Sequence, residues 1–234
     1  QDQNAHLEAL VSRRTKELQL NQDLTIFALG SIAETRDNET GNHIYRTSAY
    51  VEEMARRLAA RSSRRDAMTA GDWEMIWKSA PLHDIGKVGI PDHVLMKPGK
   101  LTAEEFEVMK RHSVLGRDAI RSAEARVKSD GSFLRVASEI AYSHHERWDG
   151  TGYPQGIGGS DIPLAARLMA LADVYDALTS KRVYKAAMPH VAAVEVIREG
   201  RGSHFDPEVL DVFLDLANQF RDIALRFSDQ APEH

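Results

Sequence analysis

Apolar residues recur at steps of three and four along six segments: His43 to Arg61, Gly71 to His83, Thr102 to His112, Phe133 to His144, Pro163 to Leu178 and Val191 to Arg198. That period marks amphipathic helices, and few convincing alternating strands stand beside it, so the predicted fold is all-α. Stop and start signals divide the segments: Pro81, the Gly86/Gly89/Pro91 cluster, Pro98-Gly99, and the Gly-rich stretch from Gly150 to Ser160. Asp206-Pro207-Glu208 combines a cap, a first-turn proline and an early acidic residue, which predicts a final helix running to about Phe227. Upstream, Asn4 to Leu24 is rich in helix formers, with Leu7, Val11 and Leu18 at heptad-like steps but Arg14 and Asn21 on the same seam. It reads either as a weak pairing helix or as a helix packed on its own domain.

The length of 234 residues suits one large domain, or one domain with a small appendage. Thirty Lys and Arg against 35 Asp and Glu leave a net charge of −5, which argues against electrostatic binding to long nucleic acid or an anionic membrane. A small anionic ligand would need a local basic pocket. With no cysteine in the chain, thiolate sites are excluded and any metal must sit on nitrogen and oxygen. The opening residues do not resemble a signal peptide and no apolar run reaches membrane length, so a soluble, cytoplasmic protein is expected. Because the sequence opens inside a helical pattern, a regulatory domain is expected upstream.

Five histidines and three acids fall where the predicted helices begin or end, in the segments ETGNH, HDIGK, KRH, SHHERWDG and LADVYDALTS. Glu39 and His43 are four apart and share one helical face. His83-Asp84 and His144-His145 are adjacent pairs, and neighbours on a helix point roughly 100° apart. Such a pair chelates only at a frayed helix end, or around a cluster wide enough for each residue to hold a different ion. Other histidines read as structural: His93 and His190 as hydrogen-bonded core residues, His6 and His234 as exposed, and His204 as a tie to the last helix.

These residues lie in longer segments, ETGNHIYR, HDIGKVGIPD, KPGKLT, HHERWDGTGYP, ADVYDALTSKRVYK and SHFDP, that resemble the HD-GYP subgroup of the HD phosphohydrolase superfamily from about Leu24 to Phe220. The resemblance implies an all-helical HD bundle with a central metal cluster. Residues 1–24 would be a linker or signalling helix, 25–228 the catalytic domain and 229–234 a tail. Carried over by position, the implied metal ligands are Glu39, His43, His83, Asp84, His112, His144, His145 and Asp173, with Asp84 the natural bridging carboxylate. Eight N/O ligands exceed one octahedral ion, so two or three divalent metals are implied, three being favoured through Glu39. Iron or manganese suits the donor set, and nickel or zinc is also admitted.

The activity implied is hydrolysis of cyclic di-GMP to pGpG, and onward to GMP, by attack of a metal-bridging hydroxide on phosphorus. Lys87, one turn beyond His83 if the helix continues, would meet the phosphate or leaving group, with Asp84 beside it in the catalytic set. Arg182 and Lys185 would meet phosphate charge, and Gly152, Tyr153 and Pro154 would shape a substrate wall that Trp148 and Asp149 support. Alternatives are a phosphohydrolase for another nucleotide or cyclic dinucleotide such as cyclic GMP-AMP, or a catalytically silent cyclic di-GMP sensor. The N-terminal helix resembles the linker between a receiver domain and its output, which implies an upstream receiver or sensor domain and a homodimer. The segment between His112 and His144 is longer than that pattern usually has, without removing a ligand.

Overall fold

The computed structural model describes residues 2–36, 42–61, 68–127, 133–180 and 187–228. The described residues form an all-α fold: α1 (Asp2–Glu34), α2 (Asn42–Ala60), α3 (Ala70–Ser79), α4 (Asp92–Leu95), α5 (Ala103–Val127), α6 (Phe133–Ser143), α7 (Leu164–Thr179), α8 (His190–Glu199), α9 (Pro207–Asp215) and α10 (Ala217–Arg226). The only extended pairing among them is an isolated bridge between Arg201 and Phe205. Capping agrees with the sequence signals. Thr69 and Asp72 close a reciprocal capping box on α3, and the Asp206 side chain caps α9 ahead of Pro207.

The core lies where α2 meets α3, α7, α9 and α10. Tyr50, Met54 and Leu58 repeat along one face of α2 and pack with Trp73, Ile76, Leu168, Tyr175, Phe213 and Phe220. Tyr50 stacks on Phe220 at 4.4 Å, and Tyr175 meets the edge of each.

Several expectations need correction. The predicted final helix is two helices, α9 and α10, broken at Leu216. The break lets Phe213 and Phe220 meet at 5.0 Å and both bury. The α-helix also does not continue from His83 to Lys87: α3 ends at Ser79, and short 3-10 turns span Ala80–Leu82 and Ile85–Gly89. Pro81, which lacks an N–H, opens the first of these turns. His93 is exposed on α4 rather than in the core, because Val94 and Leu95 face inward instead.

Helix α1 runs beyond residue 24 without a break, to Glu34. Residues 3–22 are exposed, and the helix joins the body only through its C-terminal part. At Gly30 it crosses the Pro81 turn so closely that a Cβ would lie 2.5 Å from the Pro81 carbonyl oxygen. Arg36, just past the helix, donates to the carbonyls of Val88 and Ile90 and pairs with Asp92. The end of α1 is thereby clamped to the 84–92 loop. No helix among the described residues is long and apolar enough to cross a membrane.

Candidate metal centre

Five elements converge on one buried point. Helix α2 brings His43, the turn after α3 brings His83 and Asp84, α5 brings His112, the end of α6 brings His144 and His145, and α7 brings Asp173. Both adjacent pairs stand outside regular α-helix, one of the two arrangements that lets neighbours chelate. The donor atoms fall into two groups, Asp84/His112/His144/His145 and His43/His83/Asp173, each with its ligand atoms within 4.8 Å of one another. His43 Nε2 is 3.4 Å from His83 Nε2, and His83 Nε2 is 3.3 Å from Asp84 Oδ2, so the groups adjoin. Asp84 faces both: its Oδ1 lies 3.3 Å from His112 Nε2 and 3.6 Å from His144 Nε2.

Glycine makes the convergence possible. Gly86 abuts α5 so tightly that a Cβ there would lie 1.9 Å from the His112 carbonyl oxygen and 2.5 Å from the Gly116 nitrogen. The HDIGK loop and the helix carrying His112 can meet only without that carbon.

The imidazoles are oriented by backbone acceptors. The Nδ1 atoms of His83, His112 and His144 lie 3.0, 2.8 and 2.9 Å from the carbonyls of Ala80, Met109 and Ile140, which turns each Nε2 inward. His43 differs: its Nδ1 donates to Asp176 Oδ2 at 2.8 Å, and Asp176 also accepts from Arg46 Nε at 2.6 Å.

Burial, helped by the neighbouring His144 and opposed by Asp84, pushes His112 down to about 4. His145 is driven well below its usual range by burial and by the charges of His144 and His112. Both therefore present unprotonated nitrogen near neutral pH. Burial works against the Asp84 charge, but Lys87 and His83 hold its carboxyl well below the usual range. Lys87 Nζ lies 2.7 Å from Asp84 Oδ2. Asp84 Oδ1 and His144 Nε2 are buried without a hydrogen-bond partner, a deficit that a cation between them would relieve. The all-N/O donor set fits divalent metal ions.

Seven of the eight expected ligands are thus brought together, and Lys87 stands among them. Glu39, Arg182 and Lys185 lie outside the described residues, as does His234. Tyr153 reaches the centre, its ring stacked on His145 at 4.7 Å, with Gly152 and Pro154 beside it in the chain. This loop is pinned from beneath by Glu146, which accepts from the backbone N–H groups of Gln155 and Gly156. Trp148 N donates to His204 O, and Asp149 accepts from both the N–H and the hydroxyl of Thr151. His204 therefore ties the 145–159 loop to the turn before α9, while its ring stacks on Phe205. His190 is hydrogen-bonded to the Tyr175 hydroxyl, as expected, but it is only half-buried at the start of α8 and not in the core; His6 is exposed, as expected.

Two acids at the centre escaped the sequence reading. Asp176 was signalled by its spacing of three from Asp173, matched by the spacing of Arg46 from His43. Glu34, at the end of α1, places Oε1 3.7 Å from His43 Nε2, and no local pattern in the sequence marks it.

A family model described as "HD domain" matches residues 28–209. Two curated proteins of Vibrio cholerae serotype O1 are similar to the chain. A "Probable cyclic di-GMP phosphodiesterase" is 54% identical over 98% of this chain and 52% of its own length. A "Cyclic di-GMP phosphodiesterase" is 52% identical over 97% of this chain and 46% of its own length. The chain thus spans about half the length of these curated relatives. Among solved structures, a cyclic GMP-AMP specific phosphodiesterase of V. cholerae (V-cGAP3) superposes with a TM-score of 0.59 at 19% identity. It covers 90% of this chain and 54% of that one, and at this identity the likeness speaks to the fold alone.

Proposed function

This chain belongs to the HD domain family, and from that premise we propose that it is a metal-dependent phosphodiesterase that hydrolyses cyclic di-GMP to pGpG, with GMP as a further product. The observation that carries the reading is the pair of adjoining ligand groups with Asp84 facing both. The names of the two V. cholerae relatives support the substrate.

His43, His83 and Asp173 would hold one ion and His112, His144 and His145 a second, with Asp84 shared between them. Glu39 would help to hold a third ion, and iron or manganese suits the donors best, with nickel or zinc also admitted. Bound ions supply Lewis-acid polarisation of the phosphate and lower the pKa of water. Asp84, kept ionised by Lys87 and His83, holds the two groups in register. The Lys87 ammonium, buried beside Asp84, offers a donor to the phosphate or to the departing 3′-oxygen. Arg182 and Lys185 would neutralise phosphate charge, and the Gly152-Tyr153-Pro154 wall would limit where the substrate lies.

Residues 25–228 act as the catalytic unit, in the cytoplasm. Helix α1, exposed over residues 3–22, is the route by which an upstream receiver or sensor domain would act and along which two copies would pair.

The test is metal analysis and product analysis on one anaerobically prepared sample, beside an Asp84→Ala variant. Two or three metals per chain with pGpG formed, and both lost in the variant, are expected. Full metal with ligand binding but no turnover would make the chain a sensor instead.

A further inference from the structure

The rim above His145 carries a second cluster of side chains with no part in holding metal. Phe106, on the outward face of α5, is 46% exposed, and its ring stands nearly perpendicular to Tyr153, at 82° and 6.1 Å between centroids. Lys110, one turn further along α5, places Nζ 5.5 Å from the Phe106 centroid and 5.7 Å from that of Tyr153. A cation within about 6 Å of two ring faces is in cation–π range of both. Lys110 also pairs with Glu107. Tyr153 itself lies on His145, so the rings run in sequence from a ligand of the centre to an exposed aromatic face.

A phenyl ring half in water, held by a second ring and a cation, suits a ligand that is flat, aromatic and rich in acceptors. We propose that Phe106 and Lys110, with Tyr153, form a nucleobase subsite that stacks one guanine of the substrate while its phosphate occupies the centre. This rests on the reading of the chain as a cyclic dinucleotide phosphodiesterase. Stacking on an aromatic side chain accepts any base, so Phe106 supplies affinity. Lys110 supplies selectivity: guanine offers O6 and N7 as two adjacent acceptors, whereas adenine pairs N7 with a donor amine that a lysine cannot match.

Steady-state kinetics on the metal-loaded chain test the subsite. Phe106→Ala is expected to raise KM for cyclic di-GMP about tenfold or more with kcat little changed, the pattern of a lost binding contact. Phe106→Trp should restore KM, and Phe106→Leu, which keeps apolar bulk without a π face, should not. An unchanged KM in Phe106→Ala, or full rescue by leucine, would overturn the subsite. A second readout does not depend on cleavage of cyclic di-GMP. The fluorescence added by Phe106→Trp should be quenched by pGpG more strongly than by pApA, and Lys110→Met should abolish that preference. If the unmodified chain fails to cleave cyclic di-GMP, the functional reading falls. The subsite is then judged on the quenching alone, and absence of quenching removes it too.

Discussion

His43 Nδ1 lies 2.8 Å from the Oδ2 of Asp176, a buried carboxylate that is also bound by Arg46 through Nε at 2.6 Å. One acid thereby fixes the tautomer of an imidazole in the candidate centre and pairs with a buried guanidinium. Burial alone would raise Asp176, but the hydrogen bonds from His43 and Arg46 bring its carboxyl below the usual range.

Asp176→Asn should therefore act at two levels. Loss of the orienting carboxylate is expected to weaken metal binding about 10- to 100-fold, measured by competition with a chelator. Removing the carboxylate that the buried Arg46 guanidinium grips through Nε and Nη2 should cost about 3 kcal/mol in the metal-free protein, measured by denaturant unfolding. Unchanged metal affinity would mean that Asp176 serves Arg46 alone.

Lys87→Met tests the division of labour beside Asp84. The substitution keeps the apolar stem and removes the ammonium 2.7 Å from Asp84 Oδ2. Metal content should persist while kcat falls about 100-fold or more, the scale of losing one preorganised donor to developing charge. A variant that loses its metal instead would assign Lys87 to holding Asp84.

Gly86→Ala should be among the most damaging small substitutions in the chain. The added carbon would meet the His112 carbonyl oxygen at 1.9 Å, and backbone on both sides leaves it nowhere to go. Destabilisation above about 4 kcal/mol is expected, seen as a lower Tm, with loss of metal even at temperatures where the protein stays folded. Gly99, where an added Cβ meets nothing within 4 Å, serves as a control for loop glycines, although its φ of 140° carries a strain of its own.

His204 sets an acid-side dependence of stability. Burial, assisted by Arg147, pushes it down to about 4 from an ordinary value near 6.5. The unfolded chain then binds the proton that the folded chain refuses. Its contribution is therefore full above about pH 6.5 and is lost as pH falls toward 4. Discounting for partial exposure, the difference is about 1–2 kcal/mol. In the metal-free protein, His204→Gln should flatten the fall in unfolding free energy between pH 6.5 and 4 by that amount, measured by denaturant unfolding, and an identical pH profile would contradict it.

Much of this protein is legible in its residue order. The three-and-four spacing of apolar residues implies helices because that period is local, and the breaks at Pro81 and Gly150 are local chemistry as well. The candidate ligands are readable too, but through the resemblance of their motifs; the residues by themselves offer only His-Asp and His-His pairs at helix ends in a cysteine-free chain. What the period does not carry is which buried acid faces which histidine. Asp176 and His43 are 133 positions apart, and Glu34 meets His43 only because α1 crosses the Pro81 turn at Gly30. The close approach of Gly86 to α5 and the break at Leu216 were likewise decided by packing. In each of these places a long-range contact outweighs the small free-energy preference of the local sequence, so only the assembled tertiary structure determines the result.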